Sequence, residues 1–263
     1  MTNDRTILAE IDPEITSRMM SRRGTFREAA VKLGVLATAS TVIGAASTAA
    51  FGEGEKLPEK IVEVLNFALT LEYLEDEFYR TAVGTDNLIP SENRATFETI
   101  GKHEAAHVEV LKGALGSHAV KKPEFDFTAK GTFEDVFSNY KTFLALSQSF
   151  EDLGVRAYKG QAGNLMGNGE ILTVALRIHS VEARHAATVR LIRAQPAWIV
   201  TNSRGDLPEV TQPIYTGEAD YTQGGVNIEG LGGLSLDALS AAFDEPLSKE
   251  KVLEIARPFI KAA

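Results

Sequence analysis

Cysteine is absent from this 263-residue chain. Disulfides, thiolate nucleophiles, iron–sulfur clusters and zinc–thiolate sites are therefore excluded, and any bound metal must be held by Asp, Glu and His. Histidine is scarce as well: the five are His103, His107, His118, His179 and His185. Basic residues are outnumbered, 27 Lys and Arg against 36 Asp and Glu, for a formal net charge of −9. That balance does not suit binding along a phosphate backbone, which needs a surplus of Lys and Arg. No basic stripe with interleaved aromatics appears, so nucleic acid is not expected as a partner. The apolar fraction of 44% is ordinary for a soluble globular protein and allows a sizeable core. The length suits one domain with extensions, or two small domains.

Charge is also missing from Leu33 to Phe51, a stretch rich in Ala, Thr, Ser and Gly. Before it stands Ser21-Arg22-Arg23-Gly24-Thr25-Phe26. An Arg pair, a polar residue or two, Phe and then a weakly apolar segment form the pattern of a twin-arginine export signal. Lys32 near the start of the segment is tolerated. Ser47-Thr48-Ala49 and Thr48-Ala49-Ala50 offer small-x-small cleavage options without a strict Ala-x-Ala triplet. The alternatives are an Ala-rich helix or an uncleaved anchor, since the uncharged stretch approaches the roughly 20 residues of a membrane span. Its Gly, Ser and Thr content makes it a poor span. Residues 1–52 are therefore expected to be a signal that engages the twin-arginine translocon. Such a signal delivers the chain to the periplasm or the extracellular space, or holds it at the membrane if uncleaved.

From residue 57 the pattern turns helical. Leu57-Pro58-Glu59 reads as a helix start with Pro at the first helical position. Its inward stripe is Ile61, Leu65, Ala68, Glu72, Glu75, Tyr79, and Gly84 ends it. A second helix opens at Pro90-Ser91, with Ser91 as its expected cap. Its stripe runs Phe97, Ile100, Glu104, His107, Leu111, Ala114, up to Gly116. A third is expected from a cap at Thr132, with a stripe through Val136 or Phe137, Tyr140, Leu144, Ser147, Glu151, Gly154 and Tyr158, before a turn-rich segment from Gly160 to Gly169. A fourth runs from about Glu170 to Gln195, where Pro196 stops it. Its stripe is Ile171, Ala175, Ile178, Glu182, His185, Val189, Ile192.

Every stripe thus carries a carboxylate where a core residue belongs, and in the second and fourth helices the next inward position is a histidine. A lone ionised carboxylate is costly to bury and would protonate instead. Four of them converging need positive charge between them, and two divalent cations balance four carboxylates, leaving the imidazoles as neutral ligands. Glu104-x-x-His107 and Glu182-x-x-His185 each put both side chains on one helix face. One Glu from each of two helices, with a Glu-x-x-His from each of the other two, is the general description of di-iron and di-manganese carboxylate bundles. Carboxylates with two imidazoles suit iron or manganese over soft metals.

The pattern repeats along the chain. Glu72 to Glu151 and Tyr79 to Tyr158 are shifts of 79; Glu104 to Glu182 and His107 to His185 are shifts of 78. Depth agrees too, because the ligands of each antiparallel pair lie equally far from their connecting turn. The non-helical link from Gly116 to Gly131 has 16 residues and extends to roughly 50 Å. A 25-residue helix is only about 38 Å long. The link can therefore cross the whole bundle and make helices two and three parallel.

The stretches LNFALTLEYLEDEFY (65–79), KHEAAHVEVL (102–111), SFEDLGVRAYKG (149–160) and IHSVEARHAATVRLI (178–192) resemble the ferritin-like superfamily. The likeness is closer to its exported ferritin-like domain proteins, which include desiccation-related members, and it covers about 58–195. It implies an all-α, ferritin-like four-helix bundle with one long crossover between helices two and three. It also implies terminal carboxylates at Glu72 and Glu151, bridging ones at Glu104 and Glu182, and terminal imidazoles at His107 and His185. Tyr79 matches the tyrosine that bacterioferritins place beside their metals and is the candidate catalytic residue, with a simple core aromatic as the alternative. The implied cofactor is two iron ions, with manganese as the alternative. The implied chemistry is ferroxidase or peroxide-consuming, with dioxygen or peroxide as partners, in oxidative or desiccation stress. A catalase-like manganese enzyme and a non-enzymatic metal-binding or structural protein remain as other readings. A homo-oligomer is compatible with all of them, but no cage-interface or haem pattern is present.

Other residues near the stripes receive simpler readings. Glu75, also on the inner stripe, rivals Glu72 as a ligand, but Glu72 pairs with Glu151 in the repeat, which leaves Glu75 at the surface or behind the metal ligands. His179 is expected as a satisfied core histidine, with a role behind the ligands as the alternative, His103 at the surface and His118 in the crossover. Tyr158 reads as a core aromatic, and Asp152 is expected to face outward. Residues 196–263 form a C-terminal extension, loop-rich to Gly233, with helical patterns near Leu234–Phe243 and Ser248–Ile260. It is expected to clasp the bundle, with a lid over the metals or an oligomer contact as the alternatives.

Overall fold

Four long helices form where apolar residues recur at steps of three and four: α1 (Glu59–Gly84), α2 (Ser91–Leu115), α3 (Tyr140–Ala162) and α4 (Gly169–Ile192). They belong to a computed structural model that describes residues 57–261. The expected export signal over 1–52 lies outside the described residues. Among the described residues no helix is long and apolar enough to cross a membrane.

The helices pair as two hairpins, α1 with α2 and α3 with α4, which meet mainly through α1 and α3. The link between the hairpins climbs the length of α1. Asn66 donates to the His118 carbonyl and accepts from the Val120 amide. Higher up, Lys122 pairs with Glu77 at 2.7 Å. Phe127 and Phe137 then pack on Phe78, near the end of α1. Tyr140 opens α3 beside Phe97, near the start of α2. Helices α2 and α3 therefore start at the same end and run parallel, so the bundle has the single long crossover expected.

The helix ends depart from expectation in small ways, with local causes. Pro58 and Pro90 lie just outside α1 and α2 as extended flanking residues, and Ser91 is a helical residue rather than a cap. Asn168 caps α4, with its side chain accepting from the Ile171 amide.

The larger correction is at α3, which starts at Tyr140 behind an Asn139 cap and not at Thr132. The side chain of Asp126 accepts from the amides of Thr128 and Lys130, and Ala129 and Lys130 take positive φ of 47° and 58°. Such side-chain bonds offer the backbone an alternative to helix. Val136 is still buried, but it packs from a turn. At its other end α3 continues through Gly160 to Ala162. A Cβ at Gly160 would lie 2.0 Å from the Leu247 carbonyl oxygen. That glycine makes room for tail backbone rather than for a turn.

The tail covers α1 and α3. It carries α5 (Gln212–Tyr215), a small antiparallel pair β1 (Thr222–Gln223) and β2 (Val226–Asn227), α6 (Leu236–Ser240) and α7 (Lys249–Ala256). Ser248 caps α7, its hydroxyl accepting from the Lys251 amide. Ile199, Leu207, Ile214, Tyr215, Leu247 and Val252 pack on Phe67 and Leu71 of α1 and on Leu153 and Ala157 of α3. Burial records the asymmetry: 17 of 23 residues are buried in α3, against 8 of 24 in α4. Helix α3 is thus enclosed on nearly all sides, whereas α4 keeps one solvated face.

Candidate metal centre

The stripes of the four helices converge on a carboxylate core. Helix α1 supplies Glu72, α2 Glu104 and His107, α3 Glu151, and α4 Glu182 and His185. All four glutamates are fully buried, at 0% exposure, and both histidines are nearly so. The packing explains why they can lie at one level: Phe78, Tyr79, Phe97 and Phe143 close the layer towards one end of the bundle in a run of edge and stacked contacts.

The donor atoms fall into two groups that share members. Glu72, Glu104, His107 and Glu182 form one, and Glu104, Glu151, Glu182 and His185 form the other; within each, ligand atoms lie within 4.8 Å of one another. Glu104 and Glu182 belong to both groups. His107 Nδ1 stands 3.1 Å from Glu72 Oε2, Glu104 Oε2 and Glu182 Oε1 alike. One ring nitrogen carries at most one hydrogen and cannot satisfy three carboxylates. His185 Nδ1 lies 2.8 Å from Glu104 Oε1 and 3.3 Å from Glu151 Oε2.

Despite these short contacts, several of the buried atoms find no partner in hydrogen-bonding geometry among the described residues: Glu104 Oε1, Glu151 Oε2, both oxygens of Glu182 and Nδ1 of His185. Orphaned buried polar atoms are costly. Here they converge from four helices, and the set is entirely oxygen and imidazole nitrogen. The residues therefore fit metal cations that take carboxylate and imidazole ligands.

Without cations the core strains its own titration. Burial pushes Glu72 up to about 7. Burial and the neighbouring carboxylates drive Glu182 and Glu75 well above the usual range. Glu104 is also raised by burial, but bonds and charge from His107 and His185 outweigh this and hold it below its ordinary value. Burial lowers His185, yet Glu151 and Glu104 lift it to about 11. In the absence of metal the imidazoles supply the positive charge by holding protons.

Two tyrosines complete the core. Tyr79 donates to Glu151 Oε1, and Tyr158 donates to Glu72 Oε1. Tyr158, read from sequence as a core aromatic, thus holds the same position relative to the cluster as Tyr79.

Other sequence readings change. Glu75 is buried, at 3% exposure, and does not reach solvent. A Cβ at Gly154 would lie 3.5 Å from Glu75 Oε1 and 2.9 Å from Glu182 Oε2, so Glu75 stands directly behind the ligands. Asp152 does not face outward: Arg190 grips it through Nε at 2.9 Å and Nη2 at 2.6 Å, and Tyr215 donates to it at 2.7 Å. His179 stays outside both groups, with Nε2 unpartnered rather than satisfied. His103 is exposed, as expected, but its Nδ1 lies 2.9 Å from His185 Nε2 and the rings stack. Its position one residue before Glu104 was the available signal.

A search of curated proteins finds no match for the chain. The family model described as ferritin-like domain matches residues 60–195, about half of the chain and all four helices but for the first residue of α1.

Proposed function

The chain belongs to the ferritin-like domain family, and from that premise we propose that its core holds two iron ions and uses them in ferroxidase or peroxide-consuming chemistry. The observation that carries the reading is the pair of ligand groups overlapping at Glu104 and Glu182. A single-ion site has no use for a second terminal Glu and His at the far side of shared carboxylates.

In this reading Glu104 and Glu182 hold both ions, Glu72 and His107 complete one end, and Glu151 and His185 complete the other. When bound, the irons supply the electrons that reduce dioxygen or peroxide. The chain's part is to arrange charge and protons around them. Tyr79 and Tyr158 fix the carboxylates of Glu151 and Glu72 by donating to Oε1 of each, which leaves Oε2 beside His185 and His107. His103 touches the outer nitrogen of His185 and fixes its ring at the solvent side. Helix packing excludes bulk water, which strengthens each electrostatic contact.

The twin-arginine pattern at Arg22-Arg23 supports export of the folded, metal-loaded chain, with duty outside the cytoplasm in oxidative or desiccation stress. Elemental analysis of the purified protein is the first test, with about two metal ions per chain expected. Anaerobic Fe(II) loading followed by dioxygen should give rapid oxidation that Glu104→Ala abolishes. Absence of bound metal at any loading would leave the bundle a structural scaffold. Dioxygen evolution from peroxide by manganese-loaded protein would assign the catalase reaction instead.

A further inference from the structure

A cavity of about 230 Å³ opens between the bundle and the tail. Its lining comes from α1, α3, the crossover and the tail, and includes no residue of α2 or α4. The walls are apolar, with Leu74, Leu146, Phe150 and Phe259 prominent, and among the described residues the charged side chains in the lining are Glu75 and Glu254. Glu254 and Val210 are exposed and mark the mouth, whereas Glu75 and Gly154 are buried and mark the inner end.

The inner end reaches the ligand cluster at Gly154. A side chain there would meet Glu182 Oε2, an oxygen with no partner, at 2.9 Å. In the internal repeat, Gly154 follows Glu151 by three residues, as Glu75 follows Glu72. The two hairpins therefore differ in chemistry at this inward position: α1 offers a carboxylate and α3 offers space. The side chain of Glu75 lines the cavity, and its Oε1 lies 3.5 Å from where a Cβ at Gly154 would stand.

Size and chemistry narrow the occupant. An engineered apolar cavity of about 150 Å³ holds benzene, so this one takes a body of about nine heavy atoms. Apolar walls require an apolar body. An ionised head would lose its hydration between apolar walls, whereas a hydroxyl both donates and accepts and so suits the oxygens of Glu75 and Glu182 at the base.

We propose that this cavity binds a small uncharged amphiphile, a medium-length aliphatic chain ending in a hydroxyl, with its polar end at Glu75 and Gly154 beside the metal ligands. The binding stands on the cavity alone. That the head lies next to bound metal rests on the two-ion reading above.

The test uses the full chain and n-octanol, which has the required size. Calorimetry on metal-free protein should show saturable binding at one site per chain, and octanoate should bind roughly tenfold more weakly or less. Val210→Trp closes the mouth at an exposed position and should weaken n-octanol binding by roughly tenfold or more at unchanged helical content. Ser149→Leu fills the interior and should do the same. Absence of saturable binding by the folded wild type would overturn the proposal, as would binding that neither variant changes. Cobalt(II)-loaded protein provides the second readout: n-octanol should shift its visible absorption. Bound cobalt with an unmoved spectrum, while n-octanol binds, would overturn the placement of the head. Failure of cobalt to bind at all would count against the two-ion reading and leave the cavity result standing.

Discussion

Tyr158 on α3 donates its hydroxyl proton to Glu72 on α1, and the bond is returned in the other direction by Tyr79 on α1 to Glu151 on α3. Each tyrosine lies seven residues beyond its own helix's glutamate, two turns along, and reaches across to the other. The ring closes the core while the hydroxyl holds a ligand. Tyr79→Phe keeps the ring and removes only the donor. Leaving a buried acceptor short of a partner costs about 1–3 kcal/mol, so the metal-free variant should unfold at lower urea with unchanged helicity. Iron oxidation should slow as well, and Tyr158→Phe should behave alike. Full stability and full rate in both variants would remove the tyrosines from the account.

The buried carboxylates set how stability responds to pH. Burial pushes Glu72 from 4.5 to about 7. Between those values the folded chain keeps a proton that the unfolded chain has released, so metal-free stability from this group falls as pH rises through the window. His185 is raised from 6.5 to about 11 because its carboxylate partners outweigh the effect of burial. Its contribution is complete below 6.5 and is lost as pH climbs towards 11, a slope of the same sign. Cations replace these protons, so metal binding should release protons and strengthen with pH. The rise in Tm on adding Mn²⁺ should be larger at about pH 8 than at about pH 5.5. Scanning calorimetry checks this, and a rise that shrinks with pH would contradict it.

The tail is held by buried charge as well as by apolar contact. Arg190 and Asp152 bridge α4 and α3 with two hydrogen bonds, and Tyr215 of α5 joins them. Removing one partner of a buried pair typically costs about 3–5 kcal/mol, whereas replacing both with apolar groups costs far less. Arg190→Met should therefore destabilise strongly, and the double variant Asp152→Leu with Arg190→Met should recover much of the loss. Urea denaturation measures both. Equal loss in the single and double variants would mean that the pair contributes only through its packing.

The proposed export rests on Arg22 and Arg23. Replacing both with Lys should keep the protein in the cytoplasm, because the signal requires the Arg pair and not merely positive charge. Cell fractionation of wild type and variant checks this, and identical distribution would dismiss the signal.

The helices and the converging ligands were legible because a carboxylate on an apolar stripe is an anomaly that a 3.6-residue period makes visible. The repeat of 78 and 79 residues reinforced it. The start of α3 was not legible from period alone. Val136, Phe137 and Tyr140 keep helical spacing, but Asp126 binds the backbone locally and two residues take left-handed φ. Asp152 was misplaced for a different reason. An outward reading of a charged residue assumes water on the outer face of the helix, and on α1 and α3 that face is covered by residues far away in sequence. Nothing in the local pattern of α3 announces Tyr215 or Leu247.

With α1 and α3 wrapped by the chain's own last sixty-odd residues, the long-helix faces that the described residues leave uncovered for another protein are those of α2 and α4. Leu176 and Leu191 on α4 are exposed there, and so is His103 on α2, whose ring stacks on His185. Self-assembly through that side would bring a neighbour to the doorstep of an imidazole in the carboxylate core, so crowding or dilution of the protein would be felt at the proposed metal centre.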